Sequence, residues 1–463
     1  MFDFEQIENI MLGDGLDGEQ VSLFRKLMDQ YTLQQERPIK WHDLSTPPDK
    51  SIIGYESLKD VAHDRARSLL SKLAVCRLNG GLGTSMGCVG PKSAIEVKNG
   101  QNFLDLIVQK IGLLNAKYST AVPLVLMNSF STDLDTQKII KRYSSRLQIL
   151  TFQQNQLPRL RRDTMLPLSS EEFGEQSCYP PGHGDFYDSF AKSGTLDMLI
   201  DQGTEYLFIS NVDNIAASID LKILQLMEET GAPFIMEVTE KTRADIKGGT
   251  LVKTGAQEMG LLELAQVPKA YKEEFKSIKK FKIFNTNNIW IDLKALKEKT
   301  LANDIHLDII VNQKNLDHLP IIQLETAIGS GISNFEGSLA VKVPRIRFLP
   351  IKKTDDLLLA QSNLFVFEDG MLIKNPERQF DGLPLIRLGE NFQMFEEYQK
   401  RFESIPDILE LDLLTVVGNV YFGKNITLRG NVILICEGEE LRIPDNAMLE
   451  NKVLTGSIKM GEL

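Results

Sequence analysis

The run Leu78 to Ser93, LNGGLGTSMGCVGPKS, gathers Gly80, Gly81, Gly83, Gly87 and Gly90 in one loop that ends on Lys92. Glycine admits positive φ and lets the backbone approach a ligand closely, so successive N–H groups can converge on phosphate oxygens, while the lysine adds a fixed charge suited to a triphosphate. A P-loop is excluded because Gly90-Pro91 precedes the lysine, and the dinucleotide fingerprint is missed by one residue after Gly81-Leu82-Gly83. Without further context the same glycines also fit a flexible turn. SNVDN, Ser210 to Asn214, offers Asp213, a carboxylate of the kind that holds Mg²⁺ among phosphates and retained waters. Alone, it also fits an Asx turn. PPGHGDFY, Pro180 to Tyr187, sets His183 as a directional donor in a rigid loop, where a lone histidine is also commonly structural. His42, His63, His306 and His318 show no metal-ligand spacing to it or to one another. EVTEKTRADIKGGT (Glu237 to Thr250) and FNTNN (Phe284 to Asn288), the latter expected as a loop ahead of the strand-like NIWI, carry amides and carboxylates that suit sugar hydroxyls or water. RFLPIKKTDDLLL, Arg347 to Leu359, brings Lys352 and Lys353, either of which suits a second cation over phosphates.

These segments need elements to hold them. LAVCRL, Leu73 to Leu78, is apolar on both alternating faces and predicts a strand buried from both sides. PLVLMNS, LQILTF, EYLFIS and PFIMEV predict further strands, and Phe103, Ile107, Ile111 and Leu114 recur at helical spacing. DTQKIIKRYS near Asp135, GTLDMLIDQG near Gly194 and IDLKILQLMEETG near Ile219 read as helices, the last two capped by Gly203 and Gly231. The alternation predicts an α/β fold on a mostly parallel sheet, with ligands beyond the carboxyl ends of its strands. Residues 1–70 read as a polar helical segment, with a break at LSTPPDKS and a helix over Tyr55 to Leu70. From residue 386 the rhythm changes. Leu414, Val420, Ile426 and Val432 stand six apart, and Asn419, Asn425 and Asn431 keep the same step. That period predicts a parallel β-helix, whose end strands suit self-association; β-hairpins turning at Gly418, Gly423 and Gly430 are the alternative.

The 463 residues leave room for about three domains. Hydrophobic residues at 42% and charged residues at 25% are ordinary globular proportions, which exclude a disordered or fibrous chain. The net charge of −11, from 52 basic and 63 acidic residues, argues against nucleic-acid binding. Cys76, Cys88, Cys178 and Cys436 form no CxxC pair, which fits a reducing compartment. The acidic start MFDFEQIENIM is no secretory signal, and no apolar run approaches the ~18 residues of a membrane span. A cytoplasmic protein with no membrane partner is expected.

Taken in order, LNGGLGTSMGCVGPKS, PPGHGDFY, SNVDN, EVTEKTRADIKGGTLV, FKIFNTNNIWI, QLETAIG and RFLPIKKTDDLLL resemble the UTP–glucose-1-phosphate uridylyltransferases (UDP-glucose pyrophosphorylases) of the eukaryotic type, from about Tyr55 to the C-terminus. The resemblance implies a Rossmann-like nucleotidyltransferase core with a mixed, mostly parallel sheet over residues 71–385, and a C-terminal left-handed parallel β-helix over 386–463 that allows a homo-oligomer. It implies Mg²⁺-dependent formation of UDP-glucose and pyrophosphate from UTP and glucose 1-phosphate. Matched residue by residue, it puts Leu78, Asn79, Gly80, Gly81, Gln154 and Gly182 at the nucleotide, with Gln154 reading uracil. Gly80, Gly81, His183, Asn211, Val212 and Asp213 fall at the sugar phosphate, Asp213 also being the metal ligand and a nucleotide contact. Lys92 and Lys352 fall at the phosphates as the catalytic pair. Val89 departs from a position usually basic, and the N-terminal region is divergent. Rival readings are the same transfer to an N-acetylhexosamine 1-phosphate, a glycosyltransferase using NVD as its metal motif, and a non-catalytic hexapeptide-repeat assembly protein.

Overall fold

The computed structural model describes residues 3–36, 39–88, 90–242, 245, 248–254, 257–368, 371–380 and 382–456. Val89, Arg243, Ala244, Ile246 and Lys247, singled out by position or motif above, lie outside the described residues. The chain forms two compact units, one of Met1–Gly80, Asn115–Asn211 and Ile219–Arg345, the other of Gly81–Leu114, Val212–Ser218 and Ile346–Leu463.

The first unit is built on eight strands: β1 (Ile52–Gly54), β2 (Leu73–Leu78), β3 (Leu124–Asn128), β4 (Ile149–Gln153), β5 (Tyr206–Asn211), β6 (Phe234–Glu240), β7 (Ile283–Asp292) and β8 (Leu339–Lys342). They lie in the order β1-β8-β6-β7-β5-β2-β3-β4. Every neighbouring pair is parallel except the two made by β7. All six residues of β2 are buried, as a strand covered on both faces requires. Register aligns Leu78 with Asn211 and with Met127, and Asn128 with Gln153, so four strands end at one level. Ligands of parallel sheets bind beyond such ends.

The expected helices at Asp133–Ile140, Thr195–Asp201 and Leu221–Thr230 are present, and Gly203 and Gly231 follow the last two at φ +86° and +65°. Two expectations change. The helix over Tyr55 to Leu70 contracts to a single turn at Tyr55–Ser57 and a helix at His63–Leu70. Tertiary bonds outweigh propensity there, because the Tyr55 hydroxyl donates to Asp220 at 2.8 Å and Lys222 pairs with Asp60 at 2.7 Å. FNTNN does not precede its strand but lies inside β7, with Asn287 at φ +57° beside a register shift at Glu237/Val238. The helices Phe4–Gly13 and Gly18–Glu36 bury Ile7, Met11, Phe24 and Met28 against Leu157, Leu160, Ile322 and Leu324.

In the second unit, Leu385–Arg387, Leu411–Val417 and Thr427–Cys436 pair in parallel, and Thr427–Cys436 continues to Met448–Glu450 and Val453–Gly456. Val420–Phe422 pairs in parallel with Leu441–Ile443. Leu414 lies opposite Val432, three steps of the six-residue period away. Leu414, Val420, Ile426 and Val432 are all at most 1% exposed. Gly418 turns at positive φ between two strands and Gly430 bends the strand Thr427–Cys436 at positive φ, while the pairings around them are parallel, which excludes the hairpin alternative for this stretch. Among the described residues, no helix is long and apolar enough to cross a membrane.

Candidate functional site

In the first unit the chain leaving β2 is tied to its neighbours. Leu78 is buried, and the Asn79 N–H donates to Met127 O at 2.8 Å. The fully buried Asn79 side chain donates to Asn128 Oδ1 at 2.8 Å and Thr136 Oγ1 at 3.0 Å. Gly80 O accepts the Ser129 hydroxyl at 2.9 Å. A Cβ on Gly80 would run into the carboxamide of Gln154, so only glycine lets that side chain lie on the backbone here. Gln154 follows β4, donates its N–H to Asn128 O at 2.9 Å and is 8% exposed. Its buried Oε1 has no protein partner, an acceptor in waiting.

The Pro180–Tyr187 loop rests on the chain from Thr326 to Ile328, which lies in the QLETAIG motif. Gly182 has φ +84°, and a Cβ there would stand 2.6 Å from Thr326 O. His183 Nδ1 accepts the Ile328 N–H at 2.9 Å, and its Nε2 lies 3.3 Å from Asn287 Nδ2. The Tyr187 hydroxyl donates to Ile328 O at 2.6 Å. Asn287 in turn faces Asn285, and buried Glu237 accepts Asn288 Nδ2 and Trp290 Nε1, each at 3.0 Å. The histidine loop and FNTNN are thus brought together. Asp185, 5% exposed, is a functional candidate the sequence reading passed over. It accepts both the backbone N–H and the side-chain amide of Asn155, at 2.6 and 2.8 Å, and so fixes the turn that carries Gln154. Burial pushes its carboxyl up to about 6 against the pull of those amides. Asn211 closes β5, half-buried.

In the second unit the glycine loop doubles back on itself. Lys92 N–H donates to Gly81 O at 3.1 Å, Gly83 N–H to Gly90 O at 3.2 Å, and Leu82 bridges Pro91. Gly81 is exposed and a Cβ on it would meet nothing, so its backbone stands open. Lys92 Nζ lies 2.7 Å from Asp213 Oδ2, and the two side chains are only 12% and 13% exposed. Val212 is buried at 4%. Asp213 Oδ1 is buried without a protein partner. One carboxylate with a spare oxygen suits Mg²⁺, which takes one or two protein carboxylates and fills its shell with water and phosphate oxygens. It does not suit zinc, and no group of three metal-ligating side chains occurs among the described residues. The exposed Lys352 is anchored by its backbone, whose N–H donates to Asp356 Oδ2 at 2.8 Å; Lys353 N–H shares that oxygen at 3.0 Å.

A glycine-rich loop, an amide with a free acceptor and a buried lysine–carboxylate pair are features that several folds use, so resemblance over most of the chain decides the family. The family profile described as UTP--glucose-1-phosphate uridylyltransferase matches residues 21–429. The chain is 48% identical to the Dictyostelium discoideum UTP--glucose-1-phosphate uridylyltransferase 2, over 96% of its own length and 89% of that protein. The same identity relates it to the Saccharomyces cerevisiae enzyme, covering 95% and 89%, and to the Hordeum vulgare enzyme, covering 96% and 95%. Its backbone superposes on the UDP-glucose phosphorylase of Trypanosoma brucei with a TM-score of 0.87 at 34% identity, covering 98% and 99% of the two chains. A Leishmania major UDP-glucose pyrophosphorylase solved with UDP-glucose gives 0.86 at 30% identity, covering 98% and 99%. With the profile spanning most of the sequence and relatives 48% identical over nearly all of it, the chain belongs to the UTP–glucose-1-phosphate uridylyltransferase family.

Proposed function

We propose that the chain transfers a uridylyl group reversibly between UTP and glucose 1-phosphate, forming UDP-glucose and pyrophosphate. A phosphate oxygen of glucose 1-phosphate attacks the α-phosphorus of UTP and pyrophosphate leaves in line; the attacking oxygen is already anionic, so no enzyme nucleophile is required. The barrier to encounter is electrostatic. At ~4 Å and an effective dielectric near 20, two unit charges repel by about 4 kcal/mol, so cations have to stand between the reactants. The observation that carries the reading is the buried Lys92–Asp213 pair with a spare carboxylate oxygen at the end of the glycine loop.

In this reading Leu78, Asn79, Gly80 and Gly81 present backbone to UTP, and Gly80 and Gly81 reach the sugar phosphate as well. Gln154 offers its unpartnered Oε1 to the N3–H of uracil, a donor that cytosine lacks. Gly182 supports the same nucleotide. His183, Asn211, Val212 and Asp213 bind glucose 1-phosphate, with His183 as a directional donor. Lys92 and Lys352 neutralise charge that builds on the phosphoryl oxygens in the transition state. Asp213 holds Mg²⁺, which supplies positive charge against the phosphates when bound. Residues 71–385 form the catalytic domain, flanked by the helical segment 1–70. Residues 386–463 form a left-handed parallel β-helix that suits self-association, and the enzyme works in the cytoplasm.

The test is pyrophosphate release from UTP, Mg²⁺ and glucose 1-phosphate, repeated with galactose 1-phosphate and N-acetylglucosamine 1-phosphate. Release with the glucose ester above the others is expected. No release with any ester, or consumption of UDP-glucose without pyrophosphate, would sink the proposal.

A further inference from the structure

In the second unit the segments Val212–Ser218 and Arg347–Ile351 run past each other as a short antiparallel ladder, with a bridge between Asn214 and Pro350. Asp213 O accepts the Ile351 N–H at 3.0 Å. Proline has no N–H to give, so the ladder cannot continue through Pro350 by backbone alone. The side chain of Asn214, 3% exposed, takes over: its Oδ1 accepts the Leu349 N–H at 2.9 Å and its Nδ2 donates to Arg347 O at 3.3 Å. Arg347 reaches back to Ser218, its guanidinium donating to the backbone O at 3.0 Å and to Oγ at 3.3 Å. The next residue along the clamped strand is Lys352, whose own N–H is held by Asp356. The carboxylate that pairs with Lys92 and the lysine proposed for the phosphates are therefore anchored to one pair of segments, and Asn214 bonds across it through both its acceptor and its donor atom.

From this geometry we infer that Asn214 is a positioning residue: its carboxamide sets the backbone of Lys352 against Asp213, so that the two meet the phosphates together. The inference rests on the roles proposed for Asp213 and Lys352. Removing the carboxamide takes away the acceptor of the buried Leu349 N–H and the donor to Arg347 O, which loosens the Arg347–Ile351 segment. Misplacing a catalytic group by about 1 Å costs up to about 100-fold in rate.

The experiment is a double-mutant cycle on the full-length chain, reading pyrophosphate release with Mg²⁺, UTP and glucose 1-phosphate. Asn214→Ala is expected to lower kcat by about 10- to 100-fold while both KM values stay within about threefold. In a Lys352→Ala background the same change is expected to cost less than about threefold further, because a group that acts through Lys352 has nothing left to position. Full additivity, unchanged kcat in Asn214→Ala, or a loss seen only in the urea midpoint with normal turnover per folded molecule would overturn the inference. Should Asn214→Ala yield no folded protein, Asn214→Ser is put through the same cycle, and failure of both to fold makes Asn214 an ordinary structural residue and ends the inference. If Lys352→Ala itself turns over normally, the proposed role of Lys352 fails; if Lys352→Ala is crippled and Asn214→Ala is not, the positioning alone fails.

Discussion

Asp185 is placed where its charge is least welcome. Its carboxyl belongs to the Pro180–Tyr187 loop and is buried, and desolvation raises it to about 6 from an unfolded value of 3.8, even though Asn155 donates two hydrogen bonds to it. The native state therefore keeps a proton that the unfolded chain has released. The associated stability is complete below about pH 3.8 and is lost as pH rises through about 6, by up to about 1.4 kcal/mol per pH unit. Asp185→Asn removes the titration, so stability measured by urea unfolding at about pH 4.5, 5.5 and 6.5 should fall with pH more steeply in the native chain than in the variant; parallel profiles would rule the buried carboxyl out as the source. The two proposed catalytic lysines should separate in the same kind of measurement. Lys352 is exposed, so Lys352→Ala should lower kcat by about 100-fold or more with little change in unfolding midpoint. Lys92 is 12% exposed against an equally buried Asp213, and Lys92→Ala strands that carboxylate. It should cost about 3 kcal/mol of stability as well as turnover, and an unchanged midpoint would show that the pair does not hold the loop.

The C-terminal strands show what a local period encodes and what it omits. Leu414, Val420, Ile426 and Val432 are legible as a buried row because each turn repeats the same inward position, and all four are buried. The corners between the C-terminal strands follow the same logic: Asn425 has φ +56°, Asn446 +62° and Asn451 +46°, a region asparagine tolerates and β-carbon-bearing apolar residues do not. Asn425→Ala should thus weaken hydrogen-exchange protection of the strands on either side by about 1 kcal/mol, and Asn425→Gly should leave it unchanged or slightly raised; equal losses in both would point to the Asn425–Asn446 side-chain bond instead. The strands of the first unit were legible for the equivalent reason, since β2 announces burial on both faces in six consecutive residues. The direction of β7 was not, because an antiparallel neighbour is chosen by pairing with β5 and β6 across long stretches of chain, and FNTNN looks like a loop until that pairing absorbs it. The loops bearing Gly80, Lys92, His183 and Asp213 stood out by composition. Asp185 and Asn214 lay in the same motifs unnoticed, because an acid that holds a turn and an amide that replaces a missing proline N–H are defined only by partners distant in sequence.

At the scale of the molecule, the chain order and the packing order differ. Gly81–Leu114 and Val212–Ser218 form a compact unit with Ile346–Leu463, so the glycine loop and Asp213 pack together with the far C-terminus. That packing can be traced through the helix Thr354–Gln361, which begins two residues after Lys352. The Tyr398 hydroxyl donates to Gln361 at 2.6 Å, Leu388 N–H donates to Asp355 at 3.0 Å, and Asn363 is held by Asp407 and Ile408 at 2.7 and 3.0 Å. The sulfur of Met394 fills the place where a Cβ on Gly87 would go. A chain ending at Pro384 keeps every residue proposed for the reaction and loses all of these supports. Were the C-terminal strands only an assembly surface, that chain would turn over as the full protein does. The packing argues the opposite: it should release no pyrophosphate while amides of Leu73–Leu78 and Tyr206–Asn211 remain protected from exchange, since the core of the first unit draws on none of the deleted residues. Normal turnover in the shortened chain would mean that Lys92, Asp213 and Lys352 are held by something other than the packing described.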